Sequence, residues 1–189
     1  MAIFLSGTGS NFEAIAQACE NHELDAQISV VFSNNPSALG VIKAQHRNIP
    51  TVVIPHYKPR QQFDLDVIAA LENYRIDWVI LCGYMRILSP AFLAHFQDKV
   101  INIHPSLLPH YPGVDAVARA FAAGEKRVGV TVHFVDAGVD TGPIILQEEL
   151  EVSDKETLQS LLDRVHRLEH EVYKKAIASL IKTNTNESI

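Results

Sequence analysis

An asparagine and a histidine stand two residues apart at the end of a short apolar run, as Asn102 and His104 in the sequence Asn-Ile-His-Pro. In a β-strand this spacing places both side chains on the same face. An amide can stabilise an oxyanion, and an imidazole beside it can donate or accept a proton near neutral pH. Since a histidine at a strand end is also common as a structural residue, the pair indicates acid–base chemistry only with a third partner.

A turn-rich loop later in the chain supplies two carboxylates, Asp136 and Asp140, in the sequence DAGVDTGP. A carboxylate held near His104 would position the imidazole and balance its charge. The alternative is a carboxylate that only closes an Asx turn. The local sequence supports both interpretations.

The segment SGTGSN, residues 6–11, lies between a predicted strand and a predicted helix. Its glycines allow close backbone approach, and the free N–H groups at a helix start attract an anion, so the segment predicts a phosphate site. It is not a dinucleotide fingerprint, because Phe12 replaces the third glycine and residues 33–35 offer no acid for a ribose. A tight turn that only packs is the alternative.

A mostly apolar segment follows the fourth predicted strand and carries Met85, Arg86, Ile87 and Leu88. Such residues can line a slot for a flat heteroaromatic ring, with backbone groups binding its edge. They could equally be core residues beneath a loop. Ser89 and Pro90 then predict the N-cap and first position of a helix.

The sequence HRLEH, from His166 to His170, matches an HxxEH zinc motif and places two histidines on one helix face. Such sites need a further ligand downstream, where the acidic residues are Glu171, in the same helix, and Glu187. We therefore expect no metal. Glu169, beside an apolar stripe, is instead predicted to be a buried acid that needs a partner such as sugar hydroxyls.

Short apolar runs alternate with helical patterns over the first half of the chain, which is typical of βαβ units and a parallel sheet. The predicted parallel strands are Ala2–Ser6, Ile28–Phe32, Thr51–Ile54, Trp78–Leu81 and Val100–Ile103. Two later runs, Gly129–Val135 and Pro143–Leu150, predict antiparallel strands at the sheet edge. A capping box at Ser153 and Glu156 predicts a long C-terminal helix. The predicted fold is α/β and Rossmann-like, a mostly parallel twisted sheet flanked by helices.

Length and composition limit the class of protein. The 189 residues, 47% hydrophobic and 20% charged, predict one globular domain. A net charge of −6 without a basic run disfavours nucleic acid and anionic membranes as partners, and no apolar stretch is long enough for a membrane span. The two cysteines are far apart and form no CxxC pair, which suits a reducing cytoplasm. We expect a cytoplasmic protein with small-molecule partners.

Together these residues resemble the phosphoribosylglycinamide formyltransferase family nearly from end to end. The shared motifs are SGTGSN at 6–11, FSN at 32–34, MRILSP at 85–90, NIHPSLLP at 102–109, YPG at 111–113, VHFVDAGVDTGPI at 132–144 and EH at 169–170. The resemblance implies a single formyltransferase domain over 1–189. Residues 1–100 would form the ribonucleotide phosphate-binding half, and residues 101–189 the catalytic and folate-binding half.

The resemblance also implies a role for each motif. The catalytic residues would be Asn102, His104 and Asp140. The ribonucleotide would be held by Gly9, Ser10 and Asn11 at its phosphate and by Glu169 at its ribose. The folate would contact Arg60, Met85, Arg86, Ile87, Leu88, Asn102, Val139 and Asp140.

The implied reaction transfers the formyl group of 10-formyltetrahydrofolate to the amine of glycinamide ribonucleotide in purine biosynthesis. The folate is the formyl donor, and no metal is implied. The enzyme would act as a monomer or homodimer. Two positions depart from the family pattern: Asp115 stands where a histidine is frequent, and His166 where a glutamine is usual. Both departures would affect ribonucleotide binding.

Three other functions fit parts of the pattern. Methionyl-tRNA formyltransferase adds a basic C-terminal domain, and formyltetrahydrofolate hydrolase adds an N-terminal domain, so the length and charge of this chain disfavour both. A non-catalytic nucleotide-binding module is disfavoured by the presence of Asn102, His104 and Asp140.

Overall fold

The computed structural model describes residues 1–186, with side chains through residue 182. Its strands are β1 (Ala2–Leu5), β2 (Val30–Ser33), β3 (Thr51–Val53), β4 (Val79–Leu81), β5 (Val100–His104), β6 (Arg127–Phe134) and β7 (Ile144–Glu151). Its helices are α1 (Ser10–Glu20), α2 (Leu39–His46), α3 (Arg60–Leu71), α4 (Pro90–His95), α5 (Ala116–Ala122) and α6 (Leu158–Asn186).

The strands form one sheet in the order β3-β2-β1-β4-β5-β6-β7. Strands β1 to β4 pair in parallel, as do β4 and β5, whereas β6 and β7 are antiparallel. This confirms the predicted α/β class with antiparallel strands at the C-terminal edge. The chain forms two compact units, the first from Met1 to Asn102 and the second from Ile103 onward.

In the first unit, the strand order reverses between β1 and β4, which are neighbours although distant in sequence. All residues of β1 and β2 are buried, as expected for parallel strands covered on both faces. An aromatic cluster beside β1 packs the ring of Phe4 against Phe32, Tyr84 and Phe92 at centroid distances of 4.7, 5.4 and 5.5 Å. Loops at the carboxyl ends of β1 and β4 therefore meet at a topological switch point, where open α/β sheets bind ligands.

In the second unit, α6 lies against β6 and β7. Its buried stripe contains Leu161, Val165, Val172, Tyr173 and Ala176. The β6–β7 pair needs a glycine at position 129, because a Cβ there would lie 2.3 Å from the carbonyl oxygen of Glu148. The long C-terminal helix predicted from the sequence is thus present and fixes the position of the residues it carries.

The predicted cap of this helix is wrong. The helix begins at Leu158, and Thr157 caps it by accepting a hydrogen bond from the Ser160 N–H at 3.2 Å. Ser153 and Glu156 do contact each other, but they close the turn that precedes the helix. The carboxylate of Glu156 also pairs with Arg164 of α6, and this ion pair holds the turn against the helix. Of the described helices, none is both long and apolar enough to cross a membrane.

Candidate active site

The imidazole of His104 is held between two acceptors at the end of β5. It is buried, with Nδ1 3.3 Å from Oδ2 of Asp140 and Nε2 2.9 Å from the carbonyl oxygen of Tyr111. A neutral imidazole carries one N–H and can donate to only one of them, whereas an imidazolium donates to both. The two contacts fix the orientation of the ring, and the carbonyl contact of Nε2 is exchangeable with a substrate atom.

Asp140 supplies the third partner that the sequence pattern required. Its Oδ2 accepts a hydrogen bond from the Gly113 N–H at 2.7 Å, and its Oδ1 lies 3.6 Å from Nε2 of His133. Burial raises the pKa of this carboxyl. The contacts with His133, the Gly113 N–H and His104 lower it by more than burial raises it, so the pKa lies below its ordinary value of 3.8. Asp140 is thus an anion at neutral pH, oriented by three groups.

Sequence reasoning missed His133. It lies near the end of β6, is 2% exposed and has Nδ1 2.8 Å from the carbonyl oxygen of Phe134. Its other ring nitrogen faces Asp140. The available signal was its place inside the motif VHFVDAGVDTGPI, seven residues before Asp140. Strand periodicity alone does not predict the partner of His133, because that partner, Asp140, lies in a loop.

The two carboxylates of the Asp136–Asp140 loop have different roles. Oδ1 of Asp136 accepts hydrogen bonds from the Gly138 N–H at 3.0 Å and the Thr141 hydroxyl at 2.7 Å. The Asx-turn interpretation therefore holds for Asp136. The loop closes tightly, since a Cβ on Gly142 would lie 1.8 Å from the carbonyl oxygen of Phe134. Asp136 thus closes the turn, and Asp140 contacts His104 and His133.

Left-handed backbone accompanies this site. Tyr111, Asp115 and Asp140 have φ values of 54°, 55° and 55°, which non-glycine residues rarely adopt. Such conformations cost free energy and persist where the surroundings hold them, as they often do at functional sites. Asp115 stands at the N-cap position of α5, but its side chain does not cap the helix. The side chain of Asp115 therefore does not stabilise the start of α5.

Asn102 occupies the expected place on β5, two residues before His104, and is partly buried. Alternation along the strand places the two side chains on the same face. The structure thus places together Asp140, His104 and the unpredicted His133, with Asn102 adjacent along the strand.

The contact between His133 and Asp140 predicts a pH effect. Replacing His133 with leucine removes a group that lowers the Asp140 pKa, so that pKa rises. We expect the acid limb of the kcat/KM profile to move to higher pH, because the carboxylate loses a hydrogen bond that stabilises its charged form. His133→Gln, whose amide can still donate, should retain most of the original profile. An unmoved acid limb in His133→Leu would contradict the assigned contact.

The predicted phosphate segment, residues 6–11, forms a cradle at the start of α1. Gly9 is the N-cap residue with φ 73°, and no side chain caps the helix. A Cβ on Gly9 would lie 2.8 Å from the Cα of Gly40, and the Gly40 N–H donates to the Gly7 carbonyl at 3.0 Å. Within residues 1–182, the buried Oδ1 of Asn11 has no hydrogen-bond partner. The N–H groups of the open helix start suit an anionic ligand, whereas the Asn11 oxygen is an acceptor and needs a donor such as a hydroxyl or a water molecule.

The predicted folate residues of the first unit divide by exposure. Met85 is 72% exposed and Ile87 48%, Arg86 is half-buried, and Leu88 is buried. Arg60 is the exposed first residue of α3. The core interpretation therefore holds for Leu88 alone, and the other side chains are accessible to a ligand. In the second unit, Val139 is 48% exposed in the loop that carries Asp140.

Glu169 is buried on α6, as expected, and its Oε2 lies 3.9 Å from Nε2 of the exposed His166. Across the described residues, no group of three or more histidine, cysteine, aspartate or glutamate side chains is placed to hold a metal ion. The HxxEH sequence places the buried carboxylate of Glu169 beside the exposed His166.

Comparison with known proteins identifies the class of enzyme. The family described as formyl transferase matches residues 1–177. The chain belongs to the formyl transferase family. This confirms the resemblance drawn from the sequence motifs, and it places the His104–Asp140 pair in an enzyme rather than a binding module.

Two relatives of this formyl transferase match it over nearly the full length of both chains. It is 40% identical to phosphoribosylglycinamide formyltransferase of Bacillus subtilis over 185 residues, which cover 97% of this chain and 95% of the relative. The crystal structure of phosphoribosylglycinamide formyltransferase from Bacillus halodurans matches with a TM-score of 0.92 and 36% identity, covering 95% and 94% of the two chains.

A second similar structure carries the name of a different activity. It is a formyltetrahydrofolate deformylase from Pseudomonas syringae, with a TM-score of 0.88 and 26% identity. The match covers 96% of this formyl transferase but only 61% of that chain. The fold is therefore shared by proteins named as a formyltransferase and as a deformylase.

Proposed function

We propose that this formyl transferase moves the formyl group of 10-formyltetrahydrofolate to the amine of glycinamide ribonucleotide, in purine biosynthesis in the cytoplasm. The observation that carries the proposal is the contact between the partly buried Asp140 and the buried His104 at the end of β5, in a chain that aligns over its length with a named phosphoribosylglycinamide formyltransferase. We also propose that the 189 residues act as one formyltransferase domain.

In the proposed reaction, the amine nitrogen of the ribonucleotide attacks the formyl carbon. The new C–N bond forms, and the bond between the formyl carbon and N10 of the folate then breaks. Asn102 and His104 stabilise the negative charge that develops on the formyl oxygen. A proton leaves the amine and reaches the departing N10 by way of His104 or a water molecule held by Asp140. The substrate brings its own nucleophile, so the protein supplies position, charge and a proton path.

Each ring contact of His104 has a part in this proposal. The Asp140 carboxylate fixes Nδ1, which orients the imidazole and balances a positive charge on it. Nε2 faces the Tyr111 carbonyl and exchanges that partner for the formyl oxygen or a bridging water. Catalytic hydrogen bonds often form fully only with substrate bound.

The remaining predicted contacts divide between the two substrates. The cradle at residues 6–11 binds the phosphate through backbone N–H groups, and Asn11 can donate to the same ligand only through its side-chain amide N–H groups. Glu169 accepts hydrogen bonds from the ribose hydroxyls through its carboxylate, an acceptor held in a buried position on α6. The accessible Met85, Arg86 and Ile87 contact the folate, together with Leu88, Arg60 and Val139.

A hydrolase that releases formate is the second candidate, because the fold is also that of a named deformylase. The test is to mix the purified protein with 10-formyltetrahydrofolate and follow loss of the formyl folate with and without glycinamide ribonucleotide. We expect consumption that requires the ribonucleotide and yields formylated ribonucleotide in equal amount. Consumption without it would indicate the hydrolase, and no consumption would contradict both enzymes.

A further inference from the structure

Ser6 connects three loops of the first unit through its own polar atoms. Its hydroxyl donates to Oδ1 of Asn34 at 2.5 Å and accepts from the Met85 N–H at 2.9 Å. Its backbone N–H donates to the Gly83 carbonyl at 3.2 Å, and its carbonyl accepts from Nδ2 of Asn35 at 3.0 Å. Every hydrogen-bonding group of this residue is thus used to join the cradle to other segments.

The Met85 contact is the most informative, because it joins two predicted ligand sites. Ser6 is the first residue of the cradle, and Met85 opens the Met85 loop, which we define as residues 85–88. The far end of this loop is fixed as well, since the Ser89 N–H donates at 2.5 Å to the buried carboxylate of Asp64. The near end is therefore held by the residue that begins the phosphate site.

The asparagines after β2 fit this arrangement. Asn34 and Asn35 occupy the place where a dinucleotide-binding fold carries a ribose-binding acid, and the function proposed above gives them no role. Here Asn34 orients the Ser6 hydroxyl so that its lone pairs face Met85, and Asn35 holds the Ser6 carbonyl. Because the Asn34 oxygen takes the proton of the Ser6 hydroxyl, that hydroxyl acts as the acceptor toward the Met85 N–H.

We propose that Ser6 is a positioning residue that couples occupancy of the cradle by the ribonucleotide phosphate to the conformation of the Met85 loop, and hence to binding of the folate. This inference rests on the proposed function. A phosphate bound by residues 7–11 restricts the backbone next to Ser6, and the hydroxyl transmits that restriction to the Met85 amide. By linkage, the folate favours ribonucleotide binding by the same factor.

The test measures the dissociation constant of tetrahydrofolate, the product that lacks the formyl group, with and without saturating glycinamide ribonucleotide. We expect the ribonucleotide to tighten folate binding in the unsubstituted enzyme. In Ser6→Ala the ratio of the two constants should fall by about 3- to 10-fold, the scale of one neutral hydrogen bond. Hydrogen exchange of the Met85 amide should accelerate by a similar factor, a readout that needs no ligand.

Three further variants separate coupling from a general structural effect. Ser6→Thr keeps the hydroxyl and should restore the ratio, and Ser37→Ala removes an exposed hydroxyl and should leave it unchanged. Asn34→Leu removes the acceptor while keeping Ser6, and should lower the ratio even if Ser6→Ala fails to fold. Faster Met85 exchange with an unchanged ratio would overturn the coupling alone. Absence of ribonucleotide-dependent turnover in the unsubstituted protein would overturn the proposed function and the coupling with it.

Discussion

Replacing His104 with alanine is expected to lower kcat by about 100- to 10,000-fold, the range lost with a general acid–base group. The variant removes the ring that contacts Asp140 through Nδ1 and would contact the formyl oxygen through Nε2. Binding of the ribonucleotide should persist, because the cradle at residues 6–11 does not depend on this ring. We therefore expect a large change in kcat with little change in the KM for the ribonucleotide.

The variant should remain folded. Asp140 keeps the Gly113 N–H and His133 as partners, so its carboxylate is not left buried without compensation. His46→Ala, at an exposed position in the last turn of α2, is the matched control and should turn over normally. Steady-state kinetics and thermal unfolding of the three proteins make the comparison. Turnover near the unsubstituted level in His104→Ala would exclude this residue from the chemistry.

Asp140→Asn is expected to reduce kcat by about 100-fold or more, since it removes a charge that positions the acid–base group without changing the size of the side chain. The amide can still accept from the Gly113 N–H. However, it no longer provides an anion between His104 and His133. Asp154→Asn, at a side chain that is 91% exposed, removes the same charge far from the histidines and serves as the control.

The same variant changes the acid sensitivity of the fold. The folded pKa of Asp140 lies below its ordinary value, so the ionised carboxylate stabilises the fold above that value. This contribution is lost as the pH falls through the lowered pKa. Unfolding free energies of the unsubstituted protein and Asp140→Asn should therefore differ at neutral pH and converge as the pH falls through the lowered pKa of Asp140. A difference that is constant with pH would contradict the lowered pKa.

The sequence predicted the parts of the fold and site that depend on local pattern. Apolar runs located the parallel strands, and the Asn102–His104 spacing located two site residues on one strand. The pairing of Asp140 with His133 could not be found in this way, because it joins a loop to a strand through a left-handed backbone conformation. The helix cap was predicted at the wrong residue because Ser153 and Glu156 match the local pattern of a capping box. In the structure the Glu156 carboxylate pairs with Arg164 in a turn that precedes the helix.

The contact between Gly9 and Gly40 restricts how this sequence can change. The two Cα positions are so close that a side chain at either one meets backbone or Leu5. Gly9 therefore cannot be substituted without moving the cradle away from α2, whereas a side chain on Gly40 first displaces the buried side chain of Leu5. Related sequences should therefore keep glycine at position 9, and transfer of residues 6–11 to another scaffold will succeed only if a glycine facing the loop is transferred with them.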